Sequence, residues 1–142
     1  MKHLIFIASD HAGFNLKDQI LKSLKSNMEV IDLGTDSEES VDYPDLANSL
    51  VSKIKSSKDS RGILICGSGV GMAIRANRDK NIRAGLAFNP EIAKLMRAHN
   101  NANVLVLPGK FMNIHDAIKC VENFLSTNFD GGRHEIRVNK LS

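Results

Sequence analysis

A cysteine followed at once by a glycine-rich segment is the part of this sequence with the clearest capacity for chemistry. Residues 66–71 read Cys-Gly-Ser-Gly-Val-Gly and follow an apolar run at residues 62–66. Three glycines in five residues permit a tight turn in which several backbone N–H groups point into one cavity. A helix is predicted to begin at Val70, and its positive end adds to that field. We therefore expect this segment, the glycine loop, to hold an anion or a developing oxyanion.

Two common nucleotide-binding motifs are related to the glycine loop but do not match it. A dinucleotide-binding loop would carry its third glycine at position 72, where the chain has Met72. A mononucleotide-binding loop would continue with Gly-Lys-Ser/Thr, which the sequence lacks. A strand-to-helix turn without a ligand is the simpler alternative, and the density of glycines argues against it.

Cys66 opens the glycine loop and is a candidate nucleophile or base. A cysteine on an apolar strand is more often a small hydrophobic residue. The adjacent helix N-terminus favours a chemical role, because it stabilises a thiolate. Cys120, between Ile118 and Val121 on a predicted helix, is expected in the core. Two cysteines do not make a disulfide framework, which predicts a reducing, cytoplasmic location.

Two of the five histidines lie where an acid or base could act. His11 follows Asp10 directly after the first predicted strand, so both side chains should face a cleft. His99 ends a predicted helix, where an acid/base role and a helix C-cap are both open. No two histidines have i, i+4 spacing and none lies near a cysteine pair, so spacing predicts no metal site. The remaining three are expected at edges or on the surface: His3, His115 and His134.

Positive charge is concentrated in the second half of the chain. Residues 72–142 carry 11 Lys/Arg against 6 Asp/Glu, whereas residues 1–71 carry 8 against 10. Arg133 and Arg137 lie one helical turn apart, and two guanidinium groups in that arrangement suit a phosphate. A solvated surface helix is the alternative. No basic run occurs and the aromatic residues are not interleaved with basic ones, so anionic small molecules are favoured over nucleic acid.

The chain alternates short apolar runs with amphipathic stretches over its 142 residues. This pattern predicts an α/β fold: a single-domain, three-layer, Rossmann-like arrangement with a five-stranded parallel sheet, helices on both faces and a C-terminal helical tail at residues 131–142. The predicted strands are residues 3–8, 30–33, 62–66, 83–88 and 104–107. The predicted helices are residues 13–25, 44–55, 70–76, 90–98 and 114–125, with residues 35–42 as a loop.

Composition excludes several classes of protein. With 42% apolar and 25% charged residues the chain is expected to be globular rather than disordered. Its apolar runs are far shorter than the roughly 20 residues of a membrane span, and no signal peptide is expected. Parallel sheets bind ligands beyond the carboxyl ends of their strands. We therefore expect the site beside Asp10, the glycine loop, residues 88–89 and the residues after Leu107.

Taken together, these residues resemble the ribose-5-phosphate isomerase type B family, also called the ribose/galactose isomerase family. The resemblance covers essentially the whole chain, through motifs at residues 9–14 (SDHAGF), 42–44 (DYP), 62–71 (GILICGSGVG), 97–100 (RAHN) and 131–134 (GGRH). It implies a homodimer or tetramer whose active sites are shared between subunits, with the tail contacting the partner. It implies no metal or organic cofactor.

The resemblance also implies roles for individual residues. Cys66 corresponds to the base that moves a proton between C1 and C2 of the open-chain sugar, His99 to the acid/base that opens the ring, and Ser68 to a hydroxyl that assists proton exchange between O1 and O2. The glycine-loop backbone corresponds to the anion hole for the enediolate. Lys110 stands where relatives often carry a phosphate-binding arginine, and lysine lacks the bidentate fork. Substrate contacts are implied for Asp10, Tyr43, Gly67, Gly69, Val70, Gly71 and Asn100, and phosphate contacts for His11, Arg133 and Arg137.

The activity implied is the reversible isomerisation of ribose 5-phosphate and ribulose 5-phosphate, through ring opening and a cis-enediolate, in the non-oxidative pentose phosphate pathway. One alternative is an isomerase of a six-carbon aldose 6-phosphate, such as allose or galactose 6-phosphate. Another is a non-catalytic module that binds a sugar phosphate or a nucleotide. Such a module needs neither a thiolate nor an acid, so Cys66 and His99 favour catalysis. Neither nucleic acid nor a membrane is expected as a partner.

Overall fold

The computed structural model describes residues 3–24 and 28–142, and their elements alternate along the chain as the sequence pattern predicts. The strands are β1 (Leu4–Ser9), β2 (Glu29–Asp32), β3 (Arg61–Cys66), β4 (Ala84–Leu86) and β5 (Val104–Pro108). The helices are α1 (Phe14–Ser23), α2 (Tyr43–Ser56), α3 (Val70–Ala76), α4 (Pro90–Ala98), α5 (Ile114–Ser126) and α6 (Arg133–Asn139), with a 3-10 turn at His11–Gly13.

The strands form one parallel sheet in the order β2-β1-β3-β5-β4, which confirms the predicted fold class. Ser9 is opposite Ile65, and Cys66 is opposite Pro108, so the carboxyl ends of the three central strands are level. β2 lies on one side of β1 and the later strands lie on its other side, so the order in which strands are added reverses between β1 and β3. In parallel sheets such a reversal leaves a crevice in which ligands bind. The segments after β1 and β3 therefore meet at this crevice.

Side chains alternate between the two faces along the buried strands, so each face of the sheet has its own hydrophobic core. Ile63 and Ile65 pack with one cluster, which includes Phe124 of α5. Leu64 and Cys66 point the other way, into the cluster that includes Leu50 of α2 and Met72 of α3. Cys66 is thus directed toward the side of the sheet that α2 and α3 cover.

Several element bounds differ from the sequence-based prediction. The strand predicted at residues 83–88 is limited to Ala84–Leu86. Just before it, the N–H of Arg83 donates to the side chain of Asn103 rather than to the backbone of another strand. The first helix begins after a 3-10 turn that Asp10 caps. Its predicted end at Lys25 lies outside the described residues.

A buried lysine anchors the loop that follows β2. Lys17 is only 1% exposed, and its Nζ donates to Asp32 Oδ1 at 2.6 Å. The same oxygen accepts the N–H of Gly34. The loop then pairs with the end of β1, since Thr35 N donates to Ser9 O and Ser9 N to Gly34 O. These bonds hold the start of the loop, at Gly34 and Thr35, beside the end of β1.

Among residues 3–24 and 28–142, no helix is both long and apolar enough to cross a membrane.

Candidate active site

The Asp10 side chain is fixed at the carboxyl end of β1. It is 6% exposed, and its Oδ1 accepts the N–H of Gly13 at 3.1 Å. Gly13 lies so close to β3 that a Cβ there would be 2.6 Å from Ile65 O. The cap and this close approach together hold the carboxylate in one orientation beside the start of the glycine loop.

His11 is oriented by the loop that follows β2. The N–H of Val41 donates to His11 Nδ1 at 3.1 Å. Because Nδ1 is the acceptor, the proton of the neutral imidazole is on Nε2. His11 can therefore donate from Nε2 to an anion beyond the end of β1.

The peptide planes at the start of the glycine loop are fixed by the segment after β5. Gly109 N donates to Cys66 O at 2.8 Å, and Lys110 N donates to Gly67 O at 3.0 Å. The N–H of a trans peptide points opposite to its carbonyl. The N–H groups of Gly67 and Ser68 are thereby directed away from the β5 segment, and within the described residues they donate to no protein acceptor.

The rest of the glycine loop is shaped by close packing. Gly69 has a left-handed backbone with φ 79°, and a Cβ there would lie 2.5 Å from Leu86. Only glycine fits this conformation in this space. Val70 N is 3.3 Å from the exposed Ser68 hydroxyl oxygen, to which it donates. Cys66 is 5% exposed at the base of the loop and forms no disulfide.

Tyr43 and Lys110 flank the glycine loop on two sides. A Cβ on Gly71 would lie 2.4–2.8 Å from the Tyr43 ring and hydroxyl, so the ring rests on this glycine. A Cβ on Gly67 would lie 3.6 Å from Lys110 Cγ. The structure thus brings together one set of predicted residues, called the carboxyl-edge half-site: Asp10, His11, Tyr43, the glycine loop with Cys66, and Lys110.

His99 lies in a second cluster, at the end of α4. It is the C-cap residue, as the structural alternative predicted, with its N–H donating to Leu95 O at 2.8 Å. Its ring also stacks on the ring of His134, with centroids 4.3 Å apart and planes 12° apart. His134 is partly exposed, as expected of an edge or surface residue, but its contact with His99 was not predicted. With Asn100 and Arg137, the two histidines line an open depression of about 260 Å³.

The charges around His134 favour its neutral form. Burial and the neighbouring His99, Arg133 and Arg137 lower the pKa of His134, and Asp130 opposes them. We call His99, Asn100, His134 and the two arginines the histidine half-site. The contact of His134 with His99 could not be predicted from local spacing, because 35 positions separate the two residues. The motif at residues 131–134 is the only sequence signal that includes His134.

His99, Asp130 and His134 offer ligand atoms within 4.8 Å of one another. Histidine spacing in the sequence does not reveal this group. An imidazole binds a metal through a lone pair in its ring plane, so two nearly parallel rings reach one ion only if a ring turns. Arg133 and Arg137 also place positive charge nearby, which opposes a cation.

The two half-sites lie at opposite ends of the strands. The carboxyl-edge half-site is at the carboxyl ends, and the histidine half-site is near the amino ends. Helix α4 runs back from the end of β4, and the segment after His99 reaches the start of β3, where Gly62 N donates to Asn103 O at 2.9 Å. Cys66 is at the other end of the same strand, about 13 Å from Gly62 at the usual rise per residue. One chain therefore does not bring Cys66 and His99 together.

Comparisons with known proteins agree on one family. Residues 5–141 match the model of the Ribose/Galactose Isomerase family. A probable ribose-5-phosphate isomerase B of Mycoplasma pneumoniae is 45% identical, over 99% of this chain and 94% of that protein. The ribose-5-phosphate isomerase B of Escherichia coli is 39% identical, over 100% and 95%.

Solved structures show the same similarity. A ribose 5-phosphate isomerase of Thermotoga maritima is 52% identical, with a TM-score of 0.96 over 99% of this chain and 98% of that one. The ribose-5-phosphate isomerase B of Mycoplasma genitalium with bound ribulose-5-phosphate is 44% identical, with a TM-score of 0.93 over 99% and 95%.

Proposed function

Because the chain belongs to the ribose/galactose isomerase family, we infer that it interconverts ribose 5-phosphate and ribulose 5-phosphate, a step of the non-oxidative pentose phosphate pathway. The observation that carries this inference is the Cys66 thiol at the base of a loop whose Gly67 and Ser68 N–H groups are fixed and lack protein acceptors. A relative that holds ribulose-5-phosphate supports the choice of sugar.

In the proposed mechanism the base acts on carbon. After His99 has assisted ring opening, the Cys66 thiolate takes the proton from C2 of the aldose, which leaves a cis-enediolate. The N–H groups of the glycine loop stabilise its negative charge, and one such donor is typically worth about 10²–10³ in rate. Ser68 assists proton transfer between O1 and O2, and Cys66 returns the proton to C1 to give the ketose.

The remaining site residues hold the substrate. Asp10, Tyr43 and Asn100 contact the sugar, and Gly69, Val70 and Gly71 complete the loop around it. His11, Arg133 and Arg137 bind the phosphate, with Lys110 adding charge beside Gly67. This division leaves Cys66 free for proton transfer, which is what a single-base isomerisation requires.

We further propose that the active site forms between two copies of this chain. Cys66 and His99 are at opposite ends of the strands within one chain. A partner must therefore bring its histidine half-site to the glycine loop. Several apolar side chains of α3, α4 and the β4–α4 turn are exposed and suit such a contact: Val70, Ile74, Phe88 and Ile92. Residues 1–142 then form one isomerase domain whose tail contacts the partner, in a cytoplasmic dimer or tetramer.

A panel of aldose phosphates with a ketose readout tests the substrate. We expect kcat/KM for ribose 5-phosphate to exceed that for allose 6-phosphate and galactose 6-phosphate by about 10–200-fold, the usual effect of one carbon in a fitted pocket. A higher value for either six-carbon sugar would assign the alternative isomerase. Tight binding of ribose 5-phosphate or ATP without turnover would instead indicate a binding module.

Replacing Gly71 by alanine tests the place of Tyr43. The new methyl group would occupy the position of the tyrosine ring and push it away from the loop. We expect KM to rise about tenfold, equivalent to about 1.4 kcal/mol, with an unchanged melting temperature.

The matched control is the same change made in a Tyr43→Ala variant. There the methyl group meets no ring, so Gly71→Ala should add nothing to the KM of Tyr43→Ala. If the two changes are additive instead, Gly71 acts independently of Tyr43 and the proposed contact is not what matters for binding.

A further inference from the structure

Three arginines converge on a cavity at the amino ends of the strands, whereas the glycine loop lies at their carboxyl ends. Arg61 begins β3, Arg83 precedes β4, and Arg97 is in the last turn of α4. They line a cavity of about 250 Å³ that is open to solvent, and Lys58 also lines it. This arginine pocket shares no lining residue with the depression of the histidine half-site.

The arginine side chains are held in place by backbone carbonyls. Arg61 Nη1 donates to Phe124 O at 2.7 Å, near the end of α5. Arg97 Nη1 donates to Ala102 O at 2.6 Å, and Arg83 Nε donates to Asn101 O at 2.7 Å. A guanidinium carries five N–H donors, and in the described residues the Nη2 groups of all three bond to no protein acceptor.

The positive charge of the arginine pocket is not balanced by ion pairs. Within residues 3–24 and 28–142 every ion pair of the chain uses a lysine, and none uses these arginines. Arg61 and Arg97 are each only 6% exposed. Burial, together with the charges of Arg61 and Arg83, lowers the pKa of Arg97 to about 10. Asp59 lies at the rim but is exposed.

We propose that the arginine pocket is a second anion site, which binds inorganic phosphate or the phosphoryl group of a small metabolite. Buried guanidinium groups held in fixed positions recognise tetrahedral oxyanions through paired N–H donors. An anion here would also supply the missing countercharge for three neighbouring cations. The cavity is large enough for a phosphate with a small organic group.

This site is connected to the turn that carries the proposed acid. Arg97 precedes His99 by two residues, and its Nη1 also donates to Asn101 Oδ1 at 3.0 Å. Arg83 donates to the carbonyl of the same asparagine. An anion bound to both arginines therefore holds residues 97–103 more firmly.

Titration of inorganic phosphate into an Arg137→Ala variant tests the second site. That background weakens the proposed substrate phosphate site, and chloride keeps the ionic strength constant. We expect about one phosphate bound per chain by calorimetry, with a melting temperature that rises with phosphate concentration. Because binding and not turnover is measured, the result is independent of the proposed isomerase activity.

Variants of the pocket identify where the phosphate binds. Arg83→Gln in the same background should weaken binding about tenfold or more, as expected for loss of a charged hydrogen bond. Lys58→Gln, an exposed change that leaves folding intact, should weaken it by up to about fivefold. Lys53→Gln removes the same charge from an exposed position in α2, five residues earlier and outside the pocket, and should have no effect.

Parallel titrations with inorganic phosphate and ribose 5-phosphate separate the two sources of the anion. If ribose 5-phosphate binds more tightly, the ligand is a phosphorylated metabolite, and if inorganic phosphate binds more tightly, it is the free ion. Either assignment requires that Arg83→Gln or Lys58→Gln weaken the binding of that ligand. Absence of binding in Arg137→Ala, or binding that neither pocket variant weakens relative to Lys53→Gln, overturns the proposal.

Discussion

Cys66→Ala is expected to lower kcat by about 10²–10⁴-fold, the usual contribution of a positioned general base. The alanine leaves the loop N–H groups and the residues proposed to bind the phosphate in place, so binding of ribose 5-phosphate should remain close to that of the wild type. Ketose formation gives kcat, and calorimetry of the variant with substrate gives the Kd. Exchange of the transferred proton with deuterated solvent should be lost together with turnover.

The second cysteine provides the matched control. Cys120 is fully buried in α5, and burial together with Asp116 raises its pKa to about 11. It is therefore a thiol at neutral pH, and Cys120→Ala should keep the wild-type kcat. Wild-type activity in Cys66→Ala, or equal losses in both variants, would remove Cys66 from the role of base.

Mixing two inactive variants should restore activity. If Cys66→Ala and His99→Ala subunits are refolded together in equal amounts, half of the dimers contain one of each. Each such dimer has one site in which an intact Cys66 meets the partner's intact His99. The mixture should therefore recover about one quarter of the wild-type activity, although each variant alone is nearly inactive.

A pair of variants from the same half-site is the control. His99→Ala mixed with Arg137→Ala should recover nothing, because both changes affect the half-site that one subunit supplies. If the mixture of Cys66→Ala and His99→Ala also stays inactive while heterodimers are present, each active site belongs to one chain, and the proposal of a shared site is wrong.

Most of the carboxyl-edge half-site was predictable because its residues follow strands closely, whereas Tyr43, at the start of α2, was indicated only by the family resemblance. The apolar runs before Asp10 and Cys66 mark two neighbouring strands, and parallel strands end at one edge. The separation of His99 from Cys66 could also have been predicted from the sequence. A helix that follows a strand returns to the opposite edge, so a residue at the end of α4 must lie far from Cys66.

Other features depend on contacts that no local pattern records. His134 stacks on His99 across 35 positions, and the arginine pocket joins residues from two strand starts and one helix end. Lys17, a charged residue at a fully buried position, departs from the usual periodic pattern because Asp32 on the neighbouring strand pairs with it. Such long-range pairs require the folded chain.

The bonds from Gly109 and Lys110 to the carbonyls of Cys66 and Gly67 have a thermodynamic consequence for binding. A glycine-rich segment loses more conformational entropy than any other when a ligand orders it. Here much of that loss has already occurred during folding, since the segment after β5 fixes the first two peptide planes of the loop. The loop N–H groups are thus oriented before the sugar arrives, and their attraction to the enediolate need not offset the ordering of the loop.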